Sequence, residues 1–287
     1  MHLHVDGDLI VYRAGFAAEK QQWHVMDEWG GICQTTTLKK DAEAACEELM
    51  EDAGPGFYTV EKGERMPEPV ENAYWAAKMI LQGVKRNLSG YDSMTVYLSG
   101  DDNFRLDVAT MKVYKGNRDD KHRPVHAGDI KKYLEKNYEV IYSDGEEADD
   151  TIGWHHFRLW EEDPFCSVVV SIDKDLDMLP GLHYNFVKEE SYIVQEDEAM
   201  YNFYAQMISG DTTDNIGGIP GLGVKKAATY LAEVEKTEAA LHKAVFQLYE
   251  DAFGSEAVAA YREHGQLLWI RRHEDEMWKP YNERNEG

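Results

Sequence analysis

Acidic side chains recur at five places along this chain, and their types and spacing suit them to hold divalent cations. Asp211 and Asp214 stand three residues apart, which puts two carboxylates on the same side of a helical turn. Carboxylates that are brought together raise each other's pKa, whereas a bound cation neutralises them. Ligands that are all oxygen suit Mg²⁺ or Mn²⁺ better than zinc. The candidate ligands are Asp6, Asp101, Glu147, Asp149, Asp150, Asp173, Asp175, Asp211 and Asp214.

A pair of such ions could activate a water molecule and stabilise the leaving oxygen of an in-line displacement. One isolated acid pair is more typical of a solvated helix end. Five groups at strand ends and helix starts favour a shared site, and the chemistry they favour is phosphodiester hydrolysis.

Short apolar strands precede most of these acids. In open α/β sheets, sites form outside the carboxyl ends of the strands, so we expect the acids to meet at one edge. The predicted strands and the acids that follow them are residues 3–5 with Asp6, 94–98 with Asp101, 138–142 with Glu147, and 166–172 with Asp173.

Strands that alternate with helices predict an α/β fold, with a central, mostly parallel sheet and helices on both faces. Beyond residue 199 the pattern is helical. We therefore expect an α/β catalytic domain over residues 1–205 and a C-terminal helical region over 206–287 that packs on it. Residues 23–37 predict an irregular segment or small hairpin, and residues 54–69, rich in proline and glycine, predict a loop.

Basic residues concentrate between residues 105 and 137 of an otherwise acidic chain. Such a segment could guide a nucleic-acid backbone, and Lys115 and Arg118 could offset charge on a phosphate. An ordinary exposed loop and helix would have a similar composition. The candidate residues are Arg105, Lys115 and Arg118 for catalysis, and Lys112, Tyr114, Lys121 and Arg123 for DNA binding.

A glycine-rich turn precedes a second pair of lysines. Gly221 and Gly223 let backbone N–H groups approach a phosphate at the start of the next helix, which carries Lys225 and Lys226. This turn is therefore a candidate grip on a DNA backbone.

Composition limits the class of protein. The 287 residues are 43% apolar, which is enough for one large domain or a domain with a satellite. A net charge of −24 argues against nucleic acid unless cations and a local basic patch offset it. The three cysteines lack metal-ligand spacing, and no signal peptide or membrane-length apolar stretch is evident. We expect a cytoplasmic protein with reduced thiols, no structural zinc and no membrane association.

Six segments in this order resemble the 5′-nuclease family, which comprises flap endonucleases, 5′-nuclease domains of bacterial DNA polymerases and phage 5′→3′ exonucleases. Small phage exonucleases are the most similar in their C-terminal segments. The six segments are Val5-Asp6-Gly7, Gly100-Asp101 with Phe104-Arg105, Tyr114-Lys-Gly-Asn-Arg118, Glu147-Ala-Asp-Asp150, Ser171-Ile-Asp-Lys-Asp175 and residues 210–227.

The resemblance implies a fold of the PIN/5′-nuclease type with a basic arch over about residues 112–137 and a helix-hairpin-helix motif near residues 211–227. It implies two Mg²⁺ or Mn²⁺ ions, a monovalent cation such as K⁺ at the hairpin, and 5′→3′ exonuclease, flap and RNase H-like activities in phage DNA replication or recombination. The implied partners are duplex DNA with 5′ ends, nicks or flaps, and RNA/DNA hybrids. Gly217 stands where the family usually has proline.

Three alternatives stay open. The protein could be a structure-specific flap endonuclease rather than an exonuclease. It could instead be a haloacid-dehalogenase-like phosphatase with Asp6 as covalent nucleophile and Asp8 as general acid. That alternative leaves the acids at 147–150, the basic segment and the glycine turn unexplained. The third alternative, a non-catalytic binding module of the same shape, would require gaps among the acids.

Overall fold

The computed structural model describes residues 1–118 and 123–284, apart from the side chain of Arg118. The strands are β1 His2–Asp6, β2 Glu19–Asp27, β3 Ile32–Thr36, β4 Tyr58–Pro67, β5 Ser93–Leu98, β6 Glu139–Tyr142, β7 Ser167–Val170, β8 Gly181–Asn185, β9 Glu190–Val194, β10 Gly210–Asp211 and β11 Ile216–Gly217. The helices are α1 Gly7–Ala17, α2 Lys39–Ala53, α3 Val70–Asn87, α4 Arg105–Val108, α5 Ala127–Asn137, α6 Ala148–Glu162, α7 Glu196–Ser209, α8 Val224–Leu231, α9 Glu238–Phe253, α10 Ala257–Leu268 and α11 Tyr281–Arg284.

A six-stranded sheet organises the larger part of the chain, in the order β6-β5-β1-β7-β8-β9. All neighbouring strands are parallel except β8 and β9. The middle strands β1, β5 and β7 are largely buried, as expected of parallel strands covered on both faces, although β1 carries His2 and His4 beside its apolar residues. The predicted α/β fold with a mostly parallel sheet is confirmed. Since β1, β5 and β7 run in parallel, their carboxyl ends lie at one edge.

The chain divides into two units, and the sheet belongs to the first, which comprises residues 1–9, 82–122 and 134–287. The predicted boundary between residues 205 and 206 does not match this division. Met207 of α7 and Tyr261 of α10 share one buried core with Tyr97 of β5 and Val169 of β7. The C-terminal helices therefore complete the core of the sheet unit rather than form a region with a core of its own.

The second unit comprises residues 10–81 and 123–133. It contains a three-stranded antiparallel sheet in the order β3-β2-β4, and its small core joins Val25 of β2 to Ala42 and Cys46 of α2. The small hairpin predicted within residues 23–37 is confirmed as β2 and β3.

The loop predicted over residues 54–69 is wrong, because β4 pairs with β2 along most of its length. Tyr58 and Val60 alternate with polar residues and pack against the core of this unit. The prolines and glycines that suggested a loop lie mainly at the ends of the strand. No helix in the described part of the chain is long and apolar enough to cross a membrane.

Candidate active site

Asp6 lies at the carboxyl end of β1 and is almost fully buried. One carboxylate oxygen accepts a hydrogen bond from the Leu9 N–H at 3.1 Å, and the other accepts from the Ser171 hydroxyl at 2.8 Å. Burial, with Asp8 and Asp173 nearby, raises the pKa of Asp6 to about 7. Without a cation, this carboxylate therefore carries only part of its charge near neutral pH.

The start of α6 delivers two more acids. Asp149 faces Asp6 and Asp173, and burial together with these neighbours raises its pKa well above the ordinary value. Glu147 is the residue that precedes the helix. Burial raises its pKa, but Lys115 and Arg105 outweigh that effect, and the pKa of Glu147 is lowered overall. The pKa values of the two acids at this helix start are therefore shifted in opposite directions.

A second acidic group follows β7 and continues into the turn after α7. Burial, with Asp214 and Asp211 nearby, raises the pKa of Asp173. Burial, with Asp173 and Asp211 nearby, raises the pKa of Asp175 to about 7, although Gln206 donates to its carboxylate at 2.9 Å. Seven predicted acids thus form one connected cluster: Asp6, Glu147, Asp149, Asp173, Asp175, Asp211 and Asp214.

Tyr114 and Lys115 bind to this cluster from the basic segment. The Tyr114 hydroxyl lies 3.0 Å from Glu147 and 2.8 Å from Asp214, and the Lys115 ammonium forms ion pairs with the same two acids. The Lys115 backbone has φ of 54°, in the left-handed region, and its N–H donates to the Asp214 carbonyl at 2.9 Å. Residues other than glycine rarely adopt this conformation, so surrounding contacts must hold the backbone in it. The fold therefore holds one lysine against the carboxylates.

The cluster fits divalent cations in its chemistry, because all its donors are carboxylate oxygens and several have raised pKa values. Among the described residues, no three His, Cys, Asp or Glu side chains already surround a point where a metal ion could sit. The assignment of ligands therefore rests on the shared location and mutual repulsion of these acids, and it stays a prediction.

Asp150 and Arg105 differ from what we predicted for them, as a metal ligand and a catalytic cation. Both side chains are buried, and the Arg105 guanidinium contacts both oxygens of Asp150. Arg105 also donates to the carbonyls of Leu267 and Trp269, each at 2.8 Å. Asp150 accepts in addition from the Arg271 N–H at 3.2 Å. These contacts indicate that the pair fastens the start of α6 to the segment after α10 rather than binding metal or phosphate.

The remaining predicted basic and acidic residues lie in different settings. Asp101 is exposed in the loop after β5, and Lys112 is exposed before Tyr114. Arg118 ends a short 3-10 helix, and its side chain lies outside what the structure describes. Lys121 also lies outside the described residues. Arg123 is exposed in the second unit.

The predicted arch, over about residues 112–137, is described only in part, because residues 119–122 lie outside the described residues. Tyr114 was predicted as a DNA-binding residue, but its side chain is buried. It is 4% exposed, and its hydroxyl lies against Glu147 and Asp214.

The two lysines that follow the glycine turn differ in their contacts. Gly221 has φ of 79°, which other residues rarely adopt, and the Lys226 ammonium donates to its carbonyl at 2.8 Å. Lys226 therefore closes the turn. In the described part of the chain, the Lys225 ammonium has no such partner and is the better placed of the two to meet a phosphate. Gly223 is the residue before α8.

Three polar residues that support the cluster were not among the predicted metal ligands or DNA contacts, and Asp8 was considered only as the general acid of the phosphatase alternative. Asp8 accepts from the Ser99 N–H at 3.0 Å, and the Ser99 hydroxyl accepts from the Ala148 N–H at 3.1 Å. The Ser171 hydroxyl accepts from the Asp173 N–H at 3.0 Å while it donates to Asp6. The two serines directly follow β5 and β7, and that position at the active edge of the sheet is the signal by which they could have been found.

Comparisons with known proteins give partial likenesses. No protein-family model matches the chain. A stretch of 119 residues is 34% identical to the DNA polymerase I of Rhizobium leguminosarum, covering 38% of this chain and 11% of that protein. The match thus spans about a tenth of the relative's length.

Two solved structures from bacteriophage T5 are similar over most of the chain. The T5 5′-exonuclease with bound zinc gives a TM-score of 0.49 at 17% identity, covering 91% of this chain and 93% of that one. The T5 flap endonuclease with DNA and metal ions gives a TM-score of 0.46 at 16% identity, covering 93% of this chain and 94% of that one. At these TM-scores the likenesses do not establish a common fold, and the architecture rests on the strand order described above.

The raised pKa values predict a stability that depends on both pH and metal. The unfolded chain releases the protons of Asp6 and Asp175 near pH 4, whereas the folded protein holds them to about pH 7. Their contribution to the free energy of unfolding is therefore present below about pH 4 and is lost as the pH rises through about 7. Without metal, we expect the melting temperature to fall between about pH 5 and pH 8, and Mg²⁺ to restore it mainly at about pH 8.

Thermal melts in EDTA and in Mg²⁺ at both pH values test this expectation. The variant Asp6→Asn should show a weaker pH dependence in EDTA, because one titrating group is gone. An equal Mg²⁺-induced shift at both pH values would contradict the account.

Proposed function

We propose that this protein is a metal-dependent 5′-nuclease that hydrolyses DNA phosphodiester bonds from 5′ ends. The observation that carries the proposal is the cluster of seven carboxylates at the carboxyl edge of a parallel sheet, with Lys115 held against it. Sites of open α/β sheets lie at this edge, and clustered carboxylates suit paired divalent cations.

The proposed ligands are the seven acids of the cluster, holding two Mg²⁺ or Mn²⁺ ions. When bound, such ions supply a water of lowered pKa and stabilise the leaving oxygen. Lys115 provides positive charge where a scissile phosphate would meet the acids. Ser171 and Ser99 keep Asp6 and the start of α6 in place.

Asp150 and Arg105 are proposed as positioning residues. Asp101 is not among the seven acids. Its loop follows β5, so its predicted role as a metal ligand stays a prediction.

The partial identity to a DNA polymerase I supports the proposal, because the six segments described above also resemble the 5′-nuclease domains of bacterial DNA polymerases. The proposed partners are duplex DNA with 5′ ends, nicks or flaps, and RNA/DNA hybrids. The glycine turn and α8 are proposed as the second half of a helix-hairpin-helix that holds the duplex. A monovalent cation such as K⁺ at this turn stays a prediction, and the Gly221 carbonyl of the turn already accepts from the Lys226 ammonium.

Product analysis tests the proposal and its closest alternative together. A blunt duplex and a 5′-flap duplex, each labelled at the 5′ end, would be incubated with Mg²⁺ or with EDTA. We expect Mg²⁺-dependent release of label from both substrates. Mononucleotides from the blunt duplex would indicate an exonuclease, and an oligomer from the flap substrate alone would indicate a flap endonuclease. A chain that hydrolyses a small phosphomonoester but leaves both DNA substrates intact would contradict the proposal and favour the phosphatase alternative.

The two lysines of the second turn predict different effects on DNA binding. Lys225→Ala should weaken duplex binding and reduce the slope of log affinity against log salt by about one, because one phosphate contact is lost. Lys226→Ala should change that slope less, because its ammonium is already bonded to Gly221. Binding measured in EDTA over a range of salt concentrations compares the two variants. If Lys225→Ala left the slope of log affinity against log salt unchanged, α8 would not be part of the surface that binds DNA.

A further inference from the structure

A cavity of about 160 Å³ lies beside β10 and β11, next to the carboxylate cluster. Much of its wall is apolar and comes from three separate parts of the first unit. An apolar cavity of about 150 Å³ holds one benzene molecule. This cavity therefore has room for a single aromatic ring. The apolar residues are Met111, Ile216, Pro220, Phe253 and Leu267.

His264 presents a hydrogen-bond acceptor to this cavity. The Tyr249 hydroxyl donates its proton to the Met207 carbonyl at 2.7 Å and also lies 2.8 Å from Nδ1 of His264. A hydroxyl has one proton, so Nδ1 of His264 must carry the hydrogen of this second bond. Nε2 is then left with its lone pair, and burial lowers the pKa of His264 to about 4, which keeps the ring neutral.

Lys112 brings a donor to the same place. A Cβ atom on Gly217 would lie 3.3 Å from the Lys112 ammonium and 3.9 Å from Nε2 of His264. The carboxylate of Glu263 also lines the cavity, but it already accepts from the N–H groups of Thr110 and Met111 and from the Thr110 hydroxyl. The cavity thus offers one donor and one acceptor side by side, next to an apolar slot.

We propose that this cavity binds one unpaired pyrimidine base of the DNA substrate, with Lys112 donating to the base edge and His264 accepting from it. Both pyrimidines present a neighbouring acceptor and donor on the edge that is exposed when the base is unpaired. The inference rests on the proposed function. Tyr114 lines the cavity and contacts Glu147 and Asp214 through its hydroxyl, so a base held here lies close to the carboxylates.

Binding of matched DNA duplexes in EDTA tests the proposal. One duplex carries a single unpaired thymidine beside its 5′ end, a second carries an abasic residue there, and a third carries an unpaired deoxyadenosine. Because each stacked base contributes to affinity, we expect the thymidine duplex to bind at least about fivefold tighter than the abasic duplex. The deoxyadenosine duplex should gain less, because a purine has two rings.

Gly217→Ala is the most selective variant, because its methyl group would enter the space between Lys112 and His264. Gly217 lies in β11 without a left-handed backbone, so alanine fits the chain there. This variant should lose the thymidine advantage and keep its affinity for the abasic duplex. Lys112→Met should reduce the same advantage. Gly83→Ala in α3, where a methyl group meets open space, is the matched control and should behave as the wild type.

Equal affinity of the wild type for the thymidine and abasic duplexes would overturn the proposal. So would a Gly217→Ala protein that melts normally and keeps the full thymidine advantage, or a preference for deoxyadenosine. Cleavage of a fully paired blunt duplex with Mg²⁺ involves no unpaired base, so it tests the proposed function separately. A protein that prefers unpaired thymidine but cuts no DNA would support this binding site and contradict the nuclease assignment.

Discussion

Replacement of Asp173 by asparagine is expected to lower Mg²⁺-dependent DNA cleavage by at least about a hundredfold, because it removes a charge placed to act on the transition state. Asp173 is a charged neighbour of Asp149 and also of Asp211 and Asp214, so its carboxylate is among those that would hold the ions. The substitution keeps the size of the side chain and lowers the mutual repulsion of the acids. We therefore expect unchanged or higher stability in EDTA, and DNA binding that stays measurable.

Asp177→Asn is the matched control for this experiment. Asp177 lies four residues further on, accepts from the Tyr192 hydroxyl at 2.8 Å, and is not among the acids that face the cluster. Single-turnover cleavage of an end-labelled duplex compares the two variants. Asp211→Asn should resemble Asp173→Asn. Near-normal turnover in either variant would contradict the assignment of two metal ions to these acids.

Arg105→Met is expected to lower the free energy of unfolding by about 3–5 kcal/mol, because it leaves Asp150 charged, buried and unpaired. For a protein of this size, that loss corresponds to a fall in melting temperature on the order of 10 °C. Cleavage should fall as well, because Asp150 adjoins Asp149 at the start of α6. The double variant Arg105→Met with Asp150→Leu should recover part of the lost stability, because no unpaired charge remains.

Arg262→Met is the matched control, because Arg262 forms an exposed ion pair with Glu283 and its loss should cost less than about 1 kcal/mol. Thermal and urea unfolding measure all these differences. If Arg105 instead contacts the scissile phosphate, Arg105→Met would lose cleavage without loss of stability. That result would contradict a positioning role.

The acids that follow strands were predictable because one rule places them. Asp6 is the last residue of β1 and Asp173 lies three residues after the end of β7, and parallel strands bring their carboxyl ends to one edge. The sheet itself was predictable mainly from β5 and β7, which are largely apolar, whereas β1 carries two histidines beside Leu3 and Val5.

Asp149 and Asp150 are adjacent in sequence, but Asp149 belongs to the carboxylate cluster and Asp150 pairs with Arg105. The sequence did not predict this difference. Consecutive residues of a helix point in different directions. Asp150 finds its partner Arg105 45 residues earlier in the chain, and both are tied to the segment after α10. Contacts this distant depend on the whole core of the first unit. Asp101 shows the converse, because its loop continues past the strand end and leaves the side chain exposed.

The cavity at His264 was also beyond reach of the sequence. Its donor, Lys112, and its acceptor, His264, are separated by more than a hundred residues of sequence and form no motif together. Gly217 did stand out as a departure from the pattern of the family that the sequence resembles. The structure gives that departure a physical meaning, because a side chain at this position would press on the Lys112 ammonium.

The carboxylates at the sheet edge are proposed to bind the cations that support DNA cleavage. A crystal soaked at the Mn²⁺ concentration that supports half-maximal cleavage tests it through the anomalous scattering of manganese. We predict anomalous peaks within the carboxylate cluster, next to Asp6, Asp149 and Asp173 and next to Asp211 and Asp214. Peaks elsewhere, with none among these acids at a concentration that sustains cleavage, would contradict the account.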